Sequence, residues 1–252
     1  MTIVVLVKQV PDMNAVKIDT STGAASTSGK AMNSFDAIAV QHALSLREHL
    51  GGEIVVVTAG PTMAKDALTR ALAMGADRGI HVELNDQAVR DSLDVAGVIA
   101  EAIAPLEPDI VLCGQQSDDI ETGQVGPQIA ELLGAPHVSN VMTVDAEGES
   151  LRLQRDTEGG YQQVRTPLPV VIMVTSSAEE PLYPSIKGMM AAKRKSVEKI
   201  AAAELGGETR LSWSEPKAPK REMEGILVQG EGAQDAARML VSWLRENKLI
   251  AR

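Results

Sequence analysis

Two hydrophobic rhythms alternate along this chain. Short continuous apolar runs at Thr2 to Val7, Glu53 to Thr58, Gly79 to Leu84 and Asp109 to Cys113 read as strands covered on both faces. Between them, apolar residues recur at helical spacing. The first helix opens at Asn33, a capping residue with Asp36 three places on, carries Ala37, Val40, Ala43 and Leu44, and stops at Gly51-Gly52. Further helices are predicted from the Ala59-Gly60-Pro61 turn through Met74, from Ser92 to Ala104, and from Gln128 to Leu133. Strand and helix joined by short links argue for a doubly wound, mostly parallel sheet.

The rhythm changes after Pro136. Val141 to Val144, Leu151 to Arg155, Gln162 to Arg165 and Val170 to Val174 are short strands separated by turns such as Glu158-Gly159-Gly160, which predicts antiparallel ribbons extending the sheet. Asp12 to Met32 is a polar excursion with room for a hairpin. Glu179 to Lys195 is rich in Met and Pro and leads into a basic helix. Gly206 to Glu222, with Pro216 and Pro219 among charges, reads as a linker before an amphipathic helix, Gln234 to Lys248. The expected division is therefore an α/β body over 1–205 and a linker with a C-terminal helical arm over 206–252.

Composition narrows the function classes. With 24 Lys+Arg against 34 Asp+Glu and a formal charge of -10, the chain lacks the basic footprint of a nucleic-acid or anionic-membrane binder, the run Lys193-Arg194-Lys195 aside. The apolar start, MTIVVLV, is a strand in length and too short to span a bilayer. A single cysteine, Cys113, leaves no disulfide framework, CxxC pair or zinc cluster, and the expectation is a cytoplasmic or equivalent reducing setting. The sequence contains no Walker phosphate loop, GxGxxG, GxSxG or HExxH motif, and His42, His49, His81 and His137 are scattered. No catalytic team and no metal site are expected.

The segment Ser117 to Pro127, SDDIETGQVGP, lies where the fourth strand ends and a helix begins. In an open parallel sheet, ligands bind at such strand ends, and free N–H groups at a helix start attract anions. Its acids suit ribose or ribityl hydroxyls, while Thr122, Gly123, Gln124 and Val125 offer hydroxyl and backbone N–H groups to a phosphate. A plain strand–helix connection with acids at the helix start is the competing reading. Asn33 to Asp36 and Ala59 to Pro61 fall at the same predicted sheet edge, the former also readable as a simple capping box.

Several stretches together resemble one family. VKQVPD at Val7 to Asp12, NSFDAIAV at Asn33 to Val40, TAGP at Thr58 to Pro61, ALAMGADRGIHVE at Ala71 to Glu83, DDIETGQVGP at Asp118 to Pro127 and PSIKGMMAAKRK at Pro184 to Lys195 are similar to the beta subunit of electron-transfer flavoprotein. The resemblance implies an adenine nucleotide alpha hydrolase-like fold. It also implies a heterodimer with an alpha subunit that holds the redox-active FAD, fed by flavin dehydrogenases such as acyl-CoA dehydrogenases. By position, a structural AMP would meet Leu6, Lys8, Asn33, Ser34, Phe35, Asp36, Ala59, Asp119, Glu121, Thr122, Gly123, Gln124 and Val125. Met13 and Phe35 would face the partner's flavin, and Met13 stands where many AMP-binding members carry Tyr. Tyr183, Ile186, Met189, Lys193 and Arg194 would form a dehydrogenase docking surface, with Ile186 as its apolar anchor.

Two alternatives stay open at this point. Electron-bifurcating members hold a second FAD in place of AMP and oxidise NADH; QVGP and KQVPD are similar to theirs, while Ile120, Glu121 and Ile38 depart from their pattern. Outside the family, a homodimeric adenine-nucleotide sensor of the stress-protein type would share the fold, although the acidic loop lacks that class's glycine-rich phosphate cradle.

Overall fold

The computed structural model describes residues 1–84, 91–175, 183–202, 211, 214 and 232–250. Its body is built from β1 (Thr2–Leu6), β2 (Gln9–Pro11), β3 (Val16–Ile18), β4 (Ala25–Thr27), β5 (Lys30–Met32) and α1 (Ser34–Leu50). There follow β6 (Glu53–Gly60), α2 (Lys65–Met74), β7 (Arg78–Glu83), α3 (Ser92–Ile103), β8 (Ile110–Gly114) and α4 (Val125–Leu133). Next come β9 (His137–Glu147), β10 (Ser150–Thr157), β11 (Gly160–Pro167), β12 (Val170–Val174), α5 (Ile186–Ala192), β13 (Val197–Ala201) and α6 (Ala233–Glu246).

Nine strands form one sheet in the order β11-β10-β9-β12-β8-β1-β6-β7-β13. From β9 to β13 all neighbours pair in parallel. This is the expected doubly wound α/β sheet. β10 and β11 add the expected antiparallel extension, and the polar excursion resolves into two ribbons, β2 with β5 and β3 with β4.

β1 is the pivot: the chain winds outward through β6 and β7 on one side, then returns to place β8 and β12 on the other. The strand order reverses between β1 and β8, and a crevice opens at their carboxyl ends. Both faces of the sheet are apolar, as the continuous runs require. Ile3, Val5, Ile54, Val56 and Leu112 pack under α1 and α2, while Val4, Val55, Val57, Val111 and Cys113 pack with α3 and α4.

Three elements differ from expectation. β9 begins at His137 and has two roles: residues through Val141 pair in parallel with β12, and from Val141 onward, just after Asn140 at φ 55, it pairs in antiparallel fashion with β10. The stretch Glu179 to Lys195, expected to lead into a basic helix, instead contains the short α5, which ends at Ala192; the chain then turns at Lys193–Lys195 and enters β13 beside β7. α4 starts at Val125, three residues before the predicted position. The C-terminal helix forms as expected, over Ala233–Glu246, and none of its residues is buried. The predicted linker, Gly206 to Glu222, lies outside the described residues apart from 211 and 214.

Candidate functional site

A single arrangement of hydrogen bonds sets the shape of the crevice. Asp36, one turn into α1, is almost fully buried and accepts from the Lys8 backbone N–H at 2.7 Å and from the Gly114 N–H at 3.0 Å. One carboxylate therefore joins the ends of β1 and β8. Removal from water pushes its pKa from 3.8 up to about 7, even though Asn33 and the two backbone donors favour the charged form. Gly114 makes this contact possible, since a side chain there would strike Asp36 and Phe35.

Asn33 is not the local cap that its position suggests. It makes no side-chain cap bond; instead its Nδ2 donates to the Gln116 carbonyl at 2.9 Å and its Oδ1 accepts from Asp118 N–H at 3.0 Å. The helix start is capped across the crevice by Asp118, which accepts from Ser34 N–H at 2.9 Å and Ser34 Oγ at 2.8 Å. These bonds fix the root of the loop between β8 and α4. Glu121 adopts left-handed backbone at φ 57, and its N–H donates to the Ser117 carbonyl, closing the turn.

Lys8 leaves β1 and crosses to this loop. Its Nζ lies 2.7 and 2.9 Å from the two Asp119 carboxylate oxygens and 3.2 Å from Ser117 Oγ. At the far side, the start of α3 meets the start of α4: Ser92 Oγ donates to Gln124 Oε1 at 2.9 Å and accepts from Gln128 Nε2 at 3.2 Å. α4 has no side-chain cap, and its first residues, Val125 and Gly126, line the crevice. Gly126 lets that helix sit against Met173 and Cys113, where any side chain would collide.

These elements enclose a cleft of about 610 Å³, within the range of small-molecule and cofactor sites. Of the residues expected to bind nucleotide, Leu6, Lys8, Asn33, Asp36 and Ala59 line it from one side, and Thr122, Gly123, Gln124 and Val125 from the other. Ser34 and Asp119 act at the rim, through Asp118 and Lys8 respectively. Phe35, Glu121 and Met13 are not among the lining residues, and Met13 is exposed on a short turn after β2. Sequence reading missed Ser92, Asp91, Gln115 and Gln116. The signal for Ser92 was an acid-Ser pair at a helix start opposite a Gln-rich one, which is too common a pattern to single out.

Among the described residues, the cysteine and the histidines at or near the crevice are not poised for attack. Burial, with the Asp36 charge nearby, pushes the Cys113 thiol far above its ordinary pKa. His81 is buried with Nε2 3.0 Å from the Gly60 carbonyl, and burial lowers the pKa of His42. Among the described residues no group of His, Cys, Asp and Glu is placed to hold a metal, and no helix is long and apolar enough to cross a membrane.

On the opposite flank, Tyr183 and Ile186 are 80% and 75% exposed, with Met189 and Met190 beside them. Lys193 and Arg194, also exposed, follow at the end of α5. The ring of Tyr183 lies under the Arg70 guanidinium at 5.5 Å. Lys195 Nζ donates to the Leu72 and Ala76 carbonyls, which ties the turn after α5 to the end of α2.

Fold and crevice together define a doubly wound α/β protein with a cofactor-sized site at its topological switch point. Comparison with known proteins narrows this. The electron transfer flavoprotein domain family matches residues 22–205. The chain is similar to the electron transfer flavoprotein subunit beta of Thermoanaerobacterium thermosaccharolyticum, at 41% identity over 99% of this chain and 100% of that one. It is likewise similar to the beta subunits of Syntrophomonas wolfei, at 39% over 96% and 95%, and Clostridium acetobutylicum, at 36% over 99% and 100%. The chain belongs to the electron-transfer flavoprotein family, aligns end to end with its beta subunits, and serves electron transfer with flavin.

Proposed function

We propose that this chain pairs with an alpha subunit as one half of a heterodimeric electron-transfer flavoprotein. The pair takes electrons from flavin dehydrogenases, such as acyl-CoA dehydrogenases, and passes them on in a reducing compartment such as the cytoplasm. The redox chemistry is that of the FAD held mainly by the alpha subunit. This chain contributes the scaffold, a bound nucleotide and a docking surface, with the body over 1–205 and an arm over 206–252 that clasps the partner.

The observation that carries the nucleotide part is the crevice between β1 and β8. Its neutral donors, Thr122 and the uncapped start of α4, suit a phosphate, and the aliphatic walls at Leu6, Val57 and Ala59 suit a base. AMP is the reading preferred here. A second FAD is favoured by one feature: the cleft continues under the β2/β5 ribbon to Thr27 and Lys30, leaving room beyond a mononucleotide.

Exposed apolar side chains framed by cations at Ile186, Met189, Lys193 and Arg194 suit brief docking to a partner's pocket. Co-expression with an alpha subunit, then denaturing release and chromatography, tests the whole reading. One FAD with one AMP per heterodimer is expected of a plain carrier, whereas two FAD with reduction by NADH would replace it by bifurcation. A colourless homodimer that responds to ATP would overturn it in favour of a sensor.

A further inference from the structure

The crevice carries a charge limit that follows from how its cations are used. A lysine ammonium has three N–H donors. Those of Lys8 are all engaged, by both Asp119 oxygens at 2.7 and 2.9 Å and by Ser117 Oγ at 3.2 Å. Lys30 is the other cation lining the cleft among its described residues, and it sits on the ribbon side with Nζ against Met63 Sδ at 3.5 Å. The loop end thus offers a phosphate neutral donors only, in the presence of a carboxylate at each of Asp118, Asp119 and Glu121.

Asp119 sits on a loop whose backbone is held on both sides. Its neighbour Asp118 is fixed through its side chain to Ser34 and through its N–H to Asn33, and the Glu121 N–H closes the turn onto Ser117. Each phosphoryl group added to a ligand would place another negative charge beside a carboxylate whose counter-ion is already committed.

We propose that Asp119, by engaging Lys8, is a specificity-determining residue that admits a phosphate group carrying about two negative charges and rejects nucleoside di- and triphosphates. The inference rests on the nucleotide reading above, yet does not choose within it. A terminal monophosphate and the doubly esterified pyrophosphate of a dinucleotide carry similar charge.

The test is calorimetric titration of the full chain, freed of resident nucleotide, with AMP, ADP and ATP in EDTA, so that magnesium does not neutralise the longer ligands. The natural chain is expected to prefer AMP over ATP by about tenfold or more. Asp119→Asn is expected to shrink that preference to about threefold or less, chiefly by strengthening ATP, and Lys8→Gln to widen it. Glu121→Gln, an exposed neighbour with no bond to Lys8, is expected to have the smaller effect; circular dichroism verifies folding throughout. An unchanged AMP:ATP ratio in Asp119→Asn, or a natural chain that binds ATP as well as AMP, overturns the charge limit alone. A folded chain that takes up no adenine nucleotide overturns the nucleotide reading and this inference with it.

Discussion

The crevice and the α5 flank are built on opposite rules. At the crevice the polar groups are bonded to each other across long stretches of sequence: Asp36 to Lys8 and Gly114, Asn33 to Gln116 and Asp118, Lys8 to Asp119. At the flank, Ile186 and Met190 are left in water with little protein over them, on a helix of seven residues. The first region is organised in advance and will change its properties when one bond is cut. The second contributes little to this chain's own stability, so its substitutions should be felt only when another protein arrives.

The largest expected effect tests the crevice through pH. Because the folded-state pKa of Asp36 is raised from 3.8 to about 7, the folded chain binds the extra proton, and this group's contribution is most favourable below pH 4. Stability should fall as pH rises from about 4 to about 7 and level off above, by about 4 kcal/mol from this carboxyl. Urea unfolding at a series of pH values measures it. If Asp36→Asn keeps the same slope, the carboxyl is not its source.

Next in size, Asp36→Ala leaves two buried backbone donors unpaired and should cost about 3 kcal/mol at pH 5, with loss of retained nucleotide on gel filtration. A variant equally stable and equally loaded would erase the contrast between the two regions. On the flank, Ile186→Glu should leave the unfolding midpoint within about 0.5 kcal/mol of the natural chain. It should still slow electron acceptance from a flavin dehydrogenase about tenfold, by removing an interface anchor. A shifted midpoint with unchanged electron acceptance would make that residue structural. The smallest effect belongs to Arg70→Ala, expected to cost about 0.5 kcal/mol through the lost contact with Tyr183 and to weaken docking a few-fold at most.

Most of the sheet was legible because buried parallel strands leave continuous apolar runs, and the loop after β8 because glycines and acids mark a strand end. What escaped was non-local. The spacing Asn33 to Asp36 matches a capping box, yet both side chains find partners around 80 residues away, at Gly114, Gln116 and Asp118. No local pattern reports that. β13 escaped for a different reason: as an edge strand, VEKIA, it shows no apolar-polar alternation and is mostly exposed, and the basic run before it mimics a continuing helix. The passage of β9 from one neighbour to another at Val141 is likewise decided by the sheet around it.

The lashing of α5 to α2 has a mechanical consequence. Pro61 and Ala64, just ahead of α2, form part of the cleft wall, while Leu72 and Ala76, at the helix's other end, receive Lys195. A strut of ten residues, about 15 Å long, therefore runs from the wall of the cleft to the exposed α5 flank. Force applied at the flank has a stiff route into the cleft.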